Sequence, residues 1–191
     1  MLLETDSLLF VLLNPPAATT GARTVRAVSV ASDVLGYGTF EIANLCSLAT
    51  RSVVELNALG TEAELWHEAR AELQARMIDA DAMVLAWGVA GLSGDARRNR
   101  EAQVEWLRRT AADLGLDRLW TVGAAPRHPS RWHQFLSDRY GRVPSGNFAD
   151  RIRSGLQEVE VKDGQPWPFE SPLLAAGVSA RGVGVSVYAP D

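Results

Sequence analysis

Apolar and polar residues follow two rhythms along the chain. Short, nearly continuous apolar runs bounded by turn residues recur at Ser7–Leu13, Thr39–Leu45, Ala82–Trp87 and Leu119–Val122. Runs of that length suit strands buried on both faces. Between them the apolar residues return every third or fourth position, which is the helix period. Arg23–Leu35 sets Val25, Val28, Ser32 and Leu35 on one side, and Gly36-Tyr37-Gly38 ends it with a glycine free to take the left-handed cap. Thr61-Glu62-Ala63-Glu64 has the form of a capping box and opens a helix to about Asp79, with Leu65, Ala69, Leu73 and Met77 as its core stripe. Arg97–Leu114 turns Val104, Leu107, Ala111 and Leu114 inward, and Arg131–Tyr140 predicts a short last helix. Strands separated by helices imply a parallel sheet covered on both faces. The expected fold is therefore α/β: a three-layer sandwich around a central, mainly parallel four-stranded sheet.

After residue 142 the rhythm breaks. Residues 143–191 are rich in glycine and proline, as in Gly164-Gln165-Pro166-Trp167-Pro168, and offer only Glu158–Lys162 and Val183–Tyr188 as short strands. The reading is one α/β domain over 1–142 and a loosely attached Gly/Pro-rich C-terminal extension over 143–191. A chain of 191 residues is long enough for a full core. Cys46 is its only cysteine, which excludes an intrachain disulfide and the usual Cys/His zinc spacings. No cofactor and no metal are called for. Glu4 and Asp6 stand where a secretory leader would be basic, and no apolar stretch reaches bilayer length. The expectation is a cytoplasmic protein with no membrane partner.

Charge is unevenly spread. Residues 1–93 carry 5 Arg against 11 Asp and Glu, whereas residues 94–142 carry 10 Arg against 6. The net charge of −4 argues against a nonspecific nucleic-acid coat, while the basic segment leaves room for a local phosphate-facing rim.

The chemistry worth attention lies just beyond the strands. Leu8–Leu13 runs into Asn14-Pro15-Pro16; the prolines forbid ladder bonding and hold Asn14 extended. Asn44 closes the second run, Trp87-Gly88 the third, and Arg127-His128-Pro129-Ser130 follows the fourth. In a parallel sheet these four positions converge on one edge, where open α/β sheets bind ligands. Each also has a structural explanation: Asn14 and Asn44 as turn residues, Trp87 as core, His128 as a surface histidine. Arg23 and Arg26, soon after the Asn-Pro turn, are phosphate candidates alongside Arg127 and Arg131. Gly91-Leu92-Ser93-Gly94 with Arg97-Arg98 reads either as a helix start for phosphate or as a solvated helix start. No carboxylate pair, Ser-His-Asp order or P-loop is present.

Taken in order, Asn-Pro, Asn, Trp-Gly and His-Pro-Ser resemble the uracil-DNA glycosylase superfold. Leu12-Leu13-Asn14-Pro15, Thr24-Val25-Arg26, Asn44-Leu45, Trp87-Gly88 and Arg127-His128-Pro129 more closely resemble the domain-of-unknown-function family 1643, over roughly residues 7–135. The glycosylase resemblance implies that Asn14 positions a hydrolytic water and that His128 lies near the glycosidic bond. It implies that Asn44 reads the base, and that Pro15, Trp87, Gly88 and Ser130 complete the substrate site. It also implies a His-Pro-Ser loop that meets DNA, with Trp132 as a candidate wedge. Leu13 and Pro16 replace the glycines that flank Asn-Pro in that motif, and only Tyr37 and Phe40 are available as a base-stacking aromatic. The implied function is nucleobase recognition or hydrolytic base excision on DNA. The alternatives are an enzyme acting on a free nucleotide or nucleoside, and a noncatalytic nucleotide- or DNA-binding module.

Overall fold

The computed structural model describes residues 6–17, 21–89, 91–137, 146–161, 165–167 and 169. Among them, β1 (Ser7–Leu12), β2 (Thr39–Asn44), β3 (Ala82–Leu85) and β4 (Leu119–Val122) run parallel, in the order β2-β1-β3-β4. Every residue of β1 after Ser7 is buried, as expected for a central strand covered on both sides. Leu9, Val11 and Leu13 join one core layer with Trp66, Leu73, Met77 and Leu107. Leu8, Phe10 and Leu12 join the other with Ala27, Val28, Ala31, Trp132 and Ile152. The sheet thus divides two hydrophobic layers, and helices close both.

Among the described residues the sheet has five strands, not four. β5 (Leu156–Glu158) pairs antiparallel with β4, setting Trp120 opposite Glu158 and Val122 opposite Leu156. Its sequence, Leu-Gln-Glu, is too short and too polar to read as a strand; edge pairing to β4 makes it one. It begins before the expected Glu158–Lys162 and ends at that stretch's first residue. Helix α7 (Phe148–Gly155) leads into it, opened by a capping box in which Asn147 and Asp150 exchange hydrogen bonds. Where it is described, the C-terminal stretch is bound closely: Ile152, Val159 and Trp167 are all core residues. Val183–Tyr188 lies outside the described residues.

The helices depart from expectation in their details. In α1 (Ala22–Leu35) the buried face is Ala27, Val28, Ala31 and Ser32, while Val25 is 45% exposed. Small residues make up most of this face, and Ala27, Val28 and Ala31 join the core layer of Leu8, Phe10 and Ile152. The helix expected from Thr61 is two pieces, α3 (Glu64–His67) and α4 (Ala69–Ile78), and no side chain caps α3. Ahead of them lies an unexpected helix, α2 (Val53–Leu59), whose cap Ser52 accepts from the Glu55 N–H. Helix α5 (Gly94–Asp113) buries Val104, Leu107 and Ala111, and Leu114 falls beyond its end, 40% exposed. The last expected helix is a 3-10 turn, Pro129–Arg131, followed by α6 (Trp132–Phe135); residues 138–140 lie outside the described residues. No helix among the described residues is long and apolar enough to cross a membrane.

Candidate functional site

Four parallel strands deliver four loops to the same end of the sheet. The loops after β1, β2, β3 and β4 surround a cleft of about 750 Å³. Asn14 and Pro15 come from the first loop, Trp87 and Gly88 from the third, and Arg127, His128, Ser130 and Arg131 from the fourth. That is the ligand edge expected of an open α/β sheet.

Asn14 is fixed by its amide nitrogen. Nδ2 donates toward the carbonyl oxygens of Pro15 (3.1 Å) and Leu48 (3.1 Å) and to Thr50 Oγ1 (2.9 Å). Two of those partners are backbone carbonyls, which only accept, so the orientation of the amide is determined. Around it the chain after β1 continues to pair with the chain after β2: Thr50 N–H donates to Pro15 O and Ala17 N–H to Thr50 O. With the amide nitrogen engaged in the loop, Oδ1 is the end with acceptor capacity, and no donor meets it among the described residues. Asn14→Ala therefore removes loop bonds as well as a site group.

His128 is fixed at its other ring position. Nδ1 accepts from the Ser130 N–H (3.3 Å) and lies 2.9 Å from Ser130 Oγ. A ring nitrogen that accepts a backbone N–H carries no proton, so the neutral ring is protonated at Nε2. Burial, and then the Arg131 guanidinium, hold the imidazole pKa below its ordinary 6.5, so the neutral form prevails at pH 7. Gly88 makes room for this loop. Its φ of +93° suits glycine, a Cβ there would stand 3.5 Å from His128 Cβ, and its N–H donates to Pro126 O at 2.6 Å.

Trp87 is only 5% exposed; it stacks on Trp167, with ring centroids 6.0 Å apart, and meets Phe169 edge-on. It is both core and cleft wall. Arg127 lays its guanidinium over the Phe135 ring, 3.9 Å from the centroid. Arg131 is exposed at the start of α6.

Other expected residues stand elsewhere. Asn44 closes β2 opposite Leu12 and does not line the cleft. Its Oδ1 is buried without a partner among the described residues. Arg23 and Arg26 are exposed on the first two turns of α1, also outside the cleft wall. Tyr37 is buried and Phe40 packs edge-on against Phe10, so both serve the core. Trp132 is fully buried, with Nε1 donating to Arg127 O at 2.6 Å; it is no wedge.

The β2–α2 loop and the first residue of α2 supply wall residues that sequence reasoning missed: Thr50, Arg51, Ser52 and Val53. The available signal was Ser52-Val53-Val54-Glu55, a capping box ahead of apolar residues. Only the Ser52 half of that box forms, with Ser52 Oγ accepting from the Glu55 N–H; Glu55 Oε2 accepts instead from the Arg51 N–H, one residue before the cap, at 2.6 Å. Among the described residues no group of three His, Cys, Asp or Glu could hold a metal ion.

These features describe an α/β protein with a loop-built cleft at the strand ends. The family described as a protein of unknown function, DUF1643, matches residues 3–130, and the chain belongs to it. No curated protein matches the chain, and no solved structure does.

Proposed function

We propose that the cleft recognises a nucleobase and hydrolyses its N-glycosidic bond, on a fold of the uracil-DNA glycosylase type. The observation that carries this reading is the fixed polarity of two groups in one wall: an acceptor at Asn14 Oδ1 and a donor at His128 Nε2–H. Oδ1 holds a water by one of its hydrogens, with the water oxygen free to attack the anomeric carbon. The C–N bond breaks and its electron pair leaves with the base. Nε2–H stabilises the charge on a base carbonyl oxygen, and the proton lost by the attacking water ends on the departing base. Neither group is a strong base, so rate comes from positioning and from preorganised hydrogen bonds. Among the described residues no carboxylate lines the cleft, so the scheme does not use paired-carboxylate hydrolysis.

Incubation with nucleosides, nucleotides and DNA containing damaged or modified bases, followed by chromatographic detection of free base, tests the reading. Base release that falls about 100-fold or more in Asn14→Ala and His128→Gln supports it. Release from no substrate, or equal rates in both variants, overturns it.

A further inference from the structure

Among the described residues the wall of the cleft holds Arg51, Arg127 and Arg131 and not one Asp or Glu, in a chain with 23 acidic and 19 basic residues. An electropositive cleft in an acidic protein calls for an anionic ligand. Arg51 and Arg131 are both exposed, and neither makes an ion pair among the described residues. The nearest acid in sequence, Glu55, is bound to the Arg51 main-chain N–H. Arg127 is engaged on the Phe135 ring and serves the wall. We propose that Arg51 and Arg131, from the loops after β2 and β4, form a phosphate subsite and that the occupant is a free nucleoside monophosphate; this rests on the nucleobase reading above. Guanidinium groups suit a phosphate dianion because each presents paired N–H donors. Pro15, Val53, Trp87 and Phe135 give the same cleft an apolar surface for a base or sugar face.

A duplex fits less well. Arg23 and Arg26 do not join the wall, Trp132 is buried, and a net charge of −4 repels a long polyanion. A mononucleotide needs only the local field.

The test is calorimetric titration of the full chain with the common 5′-monophosphates, their nucleosides, inorganic phosphate, and single- and double-stranded oligonucleotides at low and moderate salt. At least one monophosphate is expected to bind tenfold or more tighter than its nucleoside. Arg51→Gln and Arg131→Gln should each weaken that monophosphate about tenfold and leave the nucleoside unchanged. Both side chains are exposed, and equal thermal midpoints verify that the variants fold. The proposal is overturned if no monophosphate binds, if nucleoside and monophosphate bind equally, if the variants bind like wild type, or if an oligonucleotide outcompetes every monophosphate. Base release at equal efficiency from nucleosides and nucleotides would sink this inference and leave the hydrolase reading standing. Arg51- and Arg131-dependent monophosphate binding without base release would do the reverse.

Discussion

Helix α5 and the cleft use arginine in opposite ways. On α5, Arg97 meets Glu101 at 2.7 Å, Arg98 meets Asp95, and Arg108 and Arg109 share Glu105 at 2.9 and 2.6 Å. These are neighbours three or four residues apart, arranged as on any solvated helix. In the cleft, Arg51 and Arg131 come from distant parts of the chain and meet no carboxylate among the described residues. The five arginines of α5 are thus largely offset by four acids on the same helix, and the basic balance of residues 94–142 lies mostly beyond it, whereas one of the two cleft arginines comes from the acidic half. Positive charge available to a ligand depends on which carboxylates lie within reach, and the fold decides that.

Perturbing each region sharpens the contrast. The largest effect belongs to Asn14→Ala. On the proposed reading, turnover falls about 100-fold or more, and loss of its three hydrogen bonds destabilises the protein by about 1–3 kcal/mol in urea unfolding. Reversing the cleft charges, Arg51→Glu with Arg131→Glu, should reduce monophosphate affinity about 100-fold by calorimetry, at roughly a factor of ten per site. Gly88→Ala forces a side chain into φ +93° beside His128, so a loss of about 1–3 kcal/mol is expected in thermal unfolding.

His128 gives a smaller, pH-dependent effect. Its native pKa lies below the 6.5 of the unfolded chain. As pH falls through 6.5 the unfolded state gains a proton that the native state refuses, so stability declines until the native value is reached. Its slope is at most about 1.4 kcal/mol per pH unit for one proton. Urea unfolding from pH 7.5 to 5 should show this slope, and His128→Gln should remove it. Arg131→Gln should raise the imidazole pKa seen by NMR titration, since one cause of its depression is gone. The smallest effect belongs to α5: Arg97→Gln with Arg98→Gln should leave ligand affinity unchanged and alter stability by about 1 kcal/mol or less. A larger change in affinity there would break the contrast between the two regions.

The parallel strands were legible in sequence because each buried run is bounded by turn residues, as Leu8–Leu13 is by Asn14-Pro15. The order of the strand-end residues was legible for the same reason. β5 was not, because Leu-Gln-Glu carries no periodicity and becomes a strand only by pairing with β4. The face of α1 was legible in Val28 and Ser32, which are buried, and not in Ala27 and Ala31, which look neutral in sequence yet join the same core layer. Arg51 was missed for a related reason. Nothing in Thr50-Arg51-Ser52 marks chemistry until the Asn14 amide ties that loop to the end of β1. Asn44 shows the converse: its position after a strand suggested a base reader, while its place opposite Leu12 leaves it outside the cleft wall.

The antiparallel edge has a consequence for synthesis. During translation β4 emerges with one side of its backbone unpaired, and it stays so until Leu156–Glu158 has left the ribosome. Over that interval the nascent chain presents a short apolar strand edge to its neighbours, the geometry from which intermolecular pairing begins. Trp87 waits longer still for Trp167. The last-made part of the described fold therefore covers an edge and a ring made before it, and conditions that slow synthesis after β4 lengthen the window in which chains can pair with one another.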